Sequence, residues 1–242
     1  MSKILGFISK SNQVFFFLAV LIFIVMASIE IISDLVTNRY EPPKIELVDN
    51  SGSENEVKKQ VYTVDFLAKL RDVHIFELSS NVIDTSKYHE SEVFEMFNGA
   101  KVSHDLTGGL YLSDSAVNLM FVKENSSRRM LLKKDGLIKE FSKAKSITND
   151  HSFRLDKNLY LIIDEDTNSN GYLDHKDSVK LFTSEYDGKN LTHVLSNVGS
   201  FKLIGDNELI ISRKGDSASF FTFNVVESSL KSLNTAINVS DR

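Results

Sequence analysis

Residues 158–197 read NLYLIIDEDTNSNGYLDHKDSVKLFTSEYDGKNLTHVLSN. Two runs rich in Val, Ile, Leu, Phe, Tyr and Thr, NLYLIIDE and SVKLFTSE, enclose a polar stretch of Asp, Asn, Ser and Gly. That composition predicts two strands joined by a long loop. The loop, Asp166 to Asp177, meets the pattern D-x-[DN]-x-[DN]-G through Asp166, Asn168, Asn170 and Gly171.

The spacing has a chemical reason. Calcium takes six to eight hard oxygen ligands, and side chains at alternate positions of a curling chain converge on one ion. In a twelve-residue loop Asp166 takes position 1, Asn168 position 3 and Asn170 position 5. Gly171 permits the sharp turn, the Tyr172 carbonyl follows at position 7, Asp174 acts through water, and Asp177 closes the sphere. Two features depart from the EF-hand pattern. The last ligand is Asp instead of Glu, and positions 3 and 5 are neutral, so the expected affinity is weak, on the order of 10⁻⁴ to 10⁻³ M. The flanks read as strands instead of helices, so Ca2+ would staple a hairpin and not open a helix pair. The competing reading is an Asn/Asp-rich turn with no ion.

Outward from the loop, short strand-like runs continue: VYTVDFLA, DVHIFELS, GLYLS, AVNLMFVKE, RRMLLKK, LTHVLSN, FKLIG, ELIISRK and SASFFTFNVV. Turn formers separate them, among them Asp135-Gly136, Asp187-Gly188 and Gly205-Asp206-Asn207. One exception is Asp84 to Phe97, where Asp84 can cap a short helix. The expected class is all-β. A strand–turn–strand cadence recurs in 118–136, in 158–197 and in 208–233, with a candidate fourth unit at 61–82. This is the cadence of propeller blades, so a small or incomplete β-propeller-like domain is expected, with a sandwich as the alternative.

The run from Leu159 to Leu195, with its D-x-[DN]-x-[DN]-G loop and a strand ending in Asp187-Gly188, resembles a TolB-like or WD-repeat-like propeller blade of bacterial envelope proteins. VNLMFVKENSSRRMLLKKDG, residues 117–136, resembles a preceding blade. The resemblance covers about 80 residues. It implies a periplasmic binding or scaffold module and no particular activity, since propellers host many functions.

The N-terminal end has a different character. VFFFLAVLIFIVMASI, residues 14–29, carries no charge, and the apolar run continues to Val36 past Glu30. A bilayer core needs about 20 apolar residues in a helix. We expect a short cytoplasmic head at 1–13, a transmembrane anchor at 14–36, a linker at 37–60 holding both prolines, and the all-β domain at 61–242, outside the cytoplasm. A signal peptide cleaved near Val25-Met26-Ala27 is the alternative. There is no cysteine, which excludes a disulfide scaffold and a thiolate metal site. The net charge of −5 offers no footprint for nucleic acid.

Catalytic motifs are absent: no G-x-S-x-G, Walker loop, H-E-x-x-H or G-x-G-x-x-G occurs. The six histidines are scattered, and His104-Asp105 reads as part of a polar loop. Arg128-Arg129 with Lys133-Lys134 read as a solvated hairpin face. Phe220, Phe221 and Phe223 put aromatic rings on both faces of one strand. The expected function is a membrane-anchored, calcium-binding interaction module with a protein partner in the bacterial envelope, at the inner membrane with its domain in the periplasm. The alternatives are an envelope hydrolase with a structural calcium, and a ligand-sensing subunit acting through a membrane partner.

Overall fold

A computed structural model describes residues 15, 16, 18, 20–26, 28, 42–52, 58–86, 111–124, 127–145, 153–215 and 219–235. The chain divides into two units, 1–42 and 43–242. In the first, the described residues between 15 and 28 are helical, and Phe15, Phe16, Leu21, Phe23 and Met26 are exposed. Among the described residues no helix is long and apolar enough to cross a membrane. The expected head at 1–13 lies outside them, as does much of the expected anchor at 14–36.

The second unit is all-β, with fifteen strands in four sheets among the described residues. The first sheet joins β2 (Thr63–Leu70), β3 (Val73–Ser79), β5 (Ala116–Lys123) and β6 (Arg128–Met130). The second joins β7 (Leu137–Ser142), β8 (Asn158–Ile163), β10 (Lys180–Ser184) and β11 (Thr192–Ser196). The third joins β12 (Val198–Gly205), β13 (Glu208–Arg213), β14 (Ser219–Asn224) and β15 (Ser229–Leu233). All three are antiparallel, with spatial neighbours following one another along the chain. A small fourth sheet has order β4-β1-β9, with β1 (Ile45–Val48) parallel to β4 (Val82–Asp84) and antiparallel to β9 (Tyr172–Leu173).

Two expectations change here, and a third is left open. Residues 37–60 do more than link: Ile45 is fully buried, and β1 is hydrogen-bonded on both edges. The candidate fourth repeat at 61–82 is no separate unit. It supplies β2 and β3 of the same sheet to which 118–136 contributes its last two strands. Asp84 ends a strand, its carboxylate accepting from Ser86 N at 3.0 Å and from Asn50 Nδ2 at 2.9 Å. The helix expected beyond it falls outside the described residues.

Two apolar clusters hold the unit together. Along β8 the side chains alternate between them: Tyr160 and Ile162 pack with Ile75, Leu119 and Phe121 of the first sheet, while Leu159, Leu161 and Ile163 pack with Leu209, Ile211 and Phe223 of the third. The alternation is the two-residue period of a strand. The second sheet is thus covered on both faces, and every residue of β8 is buried. Within the second sheet Phe141 stacks on its cross-strand partner Tyr160 at 5.2 Å, and the Tyr160 hydroxyl is hydrogen-bonded to Ser184 Oγ at 2.7 Å. Burial raises the phenol's pKa, so this hydroxyl stays protonated.

Candidate functional site: the loop between β8 and β10

The loop leaves β8 and returns as β10 of the same sheet, with Lys180 paired to Ile162 across the ladder. Its second half is fixed by packing. Leu173 and Val179 are buried in the larger apolar cluster, and β9 pairs with β1 through Ile45–Leu173 and Glu46–Tyr172. Leu47 N donates to the Gly171 carbonyl at 2.9 Å, and the Lys44 ammonium lies 5.5 Å from the centre of the Tyr172 ring. The turn between the halves uses positive φ at Ser169 (59°) and Gly171 (82°). Gly171 adopts that conformation without steric cost.

The predicted ligands curl around one another. The two Asp166 oxygens accept from Asn170 N at 3.1 Å and Gly171 N at 2.8 Å. Burial works to raise the Asp166 pKa, but the backbone N–H groups of Gly171, Asn170, Ser169 and Asn168 outweigh it and hold the carboxyl below its usual value. Asp177 closes the loop from the far end. One of its oxygens accepts from Thr167 N (2.8 Å), Thr167 Oγ1 (3.0 Å) and Asn168 Nδ2 (3.1 Å), and the other from Asp174 N (2.9 Å). Asp174 accepts from Lys176 N at 2.7 Å and from Asn170 Nδ2 at 3.1 Å. Asp174 and Asp177 are buried, while Asn168 and Asn170 face solvent.

These contacts fit a cation site in a definite way. The amides of Asn168 and Asn170 donate to Asp177 and Asp174, and a half-turn of each amide exchanges the donor for its carbonyl oxygen. Each amide would then turn an oxygen toward the carboxylate it now donates to, a pairing that only a cation between the two oxygens makes favourable. Asn170 Oδ1 also accepts from Tyr172 N at 2.8 Å, and the half-turn would set Nδ2 against that N–H, losing this bond without a replacement. Among the described residues no group of three or more His, Cys, Asp or Glu side chains is drawn together tightly enough to hold a metal by themselves. Here two Asn amides stand between the carboxylates.

Asp164 and Glu165 do not join the ring of ligands. Both are ion-paired with Lys180, each at 2.8 Å, which offsets part of their negative charge and holds Glu165 below its usual pKa. Beside them lies a recess of about 460 Å³. Leu47, Thr85 and Leu173 line it together with Lys134, Asp135, Asp164, Glu165 and Asp166. Asp135 is the buried member, accepting from Tyr62 Oη (2.5 Å), Gln60 Nε2 (2.8 Å) and Asn118 Nδ2 (2.7 Å). Burial, the Asp135 charge and that hydrogen bond all push the Tyr62 phenol up. Composition gave no sign of this network, because Gln60, Tyr62, Asn118 and Asp135 lie far apart in sequence. The signal that existed was a polar residue, Asn118, inside an otherwise apolar run.

The other residues singled out in the sequence do not converge on the loop. His175 is exposed, and His193 packs edge-on to Phe182. His104 and Asp105 lie outside the described residues. Arg128 and Arg129 are exposed on the edge strand β6. Phe221 and Phe223 face the core, and Phe220 lies on the opposite face between Ser212 and Leu233.

No family model matches the chain, and neither a curated protein nor a solved structure is significantly similar to it.

Proposed function

We propose that the chain is an interaction module of the bacterial envelope whose propeller-like domain is stapled by calcium. The observation that carries this reading is the closure of the loop on itself. Asp166 at its start and Asp177 at its end bind opposite sides of one turn, at the spacing a twelve-residue calcium loop requires. Because β8 and β10 belong to one sheet, an ion there would cross-link a hairpin and fasten β9 to β1. Three four-stranded meanders in succession support the propeller-like description, and the exposed apolar helical residues between 15 and 28 support an anchor in the inner membrane. In this reading the domain lies in the periplasm, where a weak site can stay filled, and its partner is a protein.

The recess beside the loop is the observation that favours an enzyme. It gathers four carboxylates, but Asp135, Asp164, Glu165 and Asp166 are each held by protein donors, and no histidine or cysteine lines it. A general acid–base pair needs a group free to take the substrate's proton, so the binding module is the better reading. Thermal unfolding in chelator and in 10 mM calcium tests it. Stabilisation of about 1.4–2.7 kcal/mol is expected for a dissociation constant of about 10⁻³ to 10⁻⁴ M. The double variant Asp166→Ala, Asn170→Ala should melt alike in both buffers. Identical wild-type melting in the two would leave the loop a simple turn.

A further inference from the structure

A second cavity, of about 370 Å³, opens between the second and third sheets, away from the calcium loop. Its floor is apolar. Leu155 and Leu159 come from the second sheet and its approach, both buried, and Phe201 and Leu203 come from the inner face of β12, both half-buried. The rim is basic. Lys143 and Lys145 follow β7, where Lys145 is pinned to Leu155 by a pair of backbone hydrogen bonds of 2.8 and 3.0 Å. Lys202 lies between Phe201 and Leu203 along β12, so its side chain starts from the other face of the strand. Glu140 is the one carboxylate at the edge.

The lysines have no evident structural duty. No ion pair joins Lys143 or Lys145 to a described residue, whereas Lys123, Lys180 and Lys189 are each engaged with Asp or Glu. Two lysines against one carboxylate also invert the sign of a chain whose net charge is −5. The volume lies in the range of small-molecule sites, which combine an apolar wall with a few charged groups that orient the ligand. Long lysine stems can lie along the apolar wall while their heads stay at the mouth.

We propose that this cavity binds a small amphipathic anion, an aromatic or short aliphatic carboxylate, with its apolar body against Leu155, Leu159, Phe201 and Leu203 and its carboxylate at the Lys143 and Lys145 ammonium groups. The charge pattern selects this class. A neutral apolar ligand would leave the two ammonium groups unused, and a cation would be repelled. The size excludes a folded partner. The site is independent of calcium, because none of its residues belongs to the loop at 166–177.

The test uses the full chain and 2-naphthoate as probe, with naphthalene-2-methanol as its neutral counterpart, followed by calorimetry and by methyl resonances of the leucines. Expected are saturable binding of 2-naphthoate with shifts at Leu155, Leu159 and Leu203, and binding of the alcohol weaker by about ten-fold, equivalent to about 1.4 kcal/mol. The double variant Lys143→Gln, Lys145→Gln should lose a similar factor with an unchanged melting temperature. Lys133→Gln with Lys134→Gln, on the other basic cluster, should bind as wild type. Equal affinity for acid and alcohol, an unaffected Lys143→Gln, Lys145→Gln variant, shifts elsewhere, or no binding at millimolar 2-naphthoate would each overturn the proposal.

Discussion

The second and third sheets share one plan, a four-stranded antiparallel meander, yet their strands are buried differently. In the second, β8 shows six buried residues in a row. In the third, β13 alternates: Leu209 and Ile211 are fully buried, Ile210 is half-buried, and Glu208 and Arg213 are exposed. The cross-strand rows show the same contrast. Phe201, Ile211, Phe221 and Ser232 form a row facing the core, and the next row, Lys202, Ile210, Thr222 and Lys231, faces the other way and carries two charges. The middle sheet has a neighbour on each face, and the third has one neighbour and water. Burial here follows from position in the stack, because the strand geometry is the same in both.

Adjacent residues should therefore behave differently in the two sheets. Leu161→Ala and Ile162→Ala face opposite clusters, and each should cost about 2–5 kcal/mol. In β13, Ile211→Ala should cost the same, while Ile210→Ala should cost about 1 kcal/mol or less. Equal losses at Ile210 and Ile211 in denaturant unfolding would show that the third sheet has a second covering layer.

The contact between the first two sheets depends on a tight approach at the turn of β10 and β11. Gly188 has φ 77°, and a Cβ there would stand 2.6 Å from the Phe121 ring. Gly188→Ala should destabilise by about 2–3 kcal/mol through strain and overpacking. At Gly171 a Cβ meets nothing within 4 Å, so Gly171→Ala should cost about 1 kcal/mol, from backbone strain alone. The order of the two melting temperatures checks this.

A smaller effect concerns charge at the same contact. Asp187 is ion-paired with Lys123 of the first sheet and Lys189 of its own turn, both at 3.2 Å. Burial opposes its ionisation, but hydrogen bonds from the two lysines prevail, and its pKa is lowered. A carboxyl with a depressed folded pKa adds stability above its unfolded pKa of about 3.9 and loses it as the pH falls through the folded value. Asp187→Asn should thus lower stability by about 1 kcal/mol at pH 7, and the gap should close below about pH 3. A gap that persists there would assign the loss to the neutral hydrogen bonds.

Much of this architecture was legible from period-two patterning and turn residues. Ten of the strands coincide with runs rich in β-branched and aromatic residues, and Asp187-Gly188 and Asp206-Asn207 do form the turns of their hairpins. Three of the missed strands share a cause. Ile45–Val48, Val82–Asp84 and Tyr172–Leu173 are two to four residues long, too short to show a period, and exist only because they pair with one another. Leu137–Ser142 was hidden by Lys139 and Glu140 at its exposed positions. The GLYLS run forms no strand over its described residues, 111–113; there Ser113 instead donates through N and Oγ to the buried Glu77. At the loop, spacing named the six candidate ligands. It did not foresee that Lys180 would pair with Asp164 and Glu165, or that β1 would clasp the loop at Gly171, because both depend on contacts distant in sequence.

The central claim is that Asp166, Asn168, Asn170, Tyr172, Asp174 and Asp177 hold calcium weakly, as a staple. Calorimetric titration of the full chain with calcium tests it most directly. The account predicts one site with a dissociation constant on the order of 10⁻⁴ to 10⁻³ M, abolished by Asp166→Ala. A constant below about 10⁻⁶ M would contradict the staple, since that is the sensor range. No binding heat in wild type up to about 10 mM calcium, a concentration well above the expected constant, would contradict the site itself.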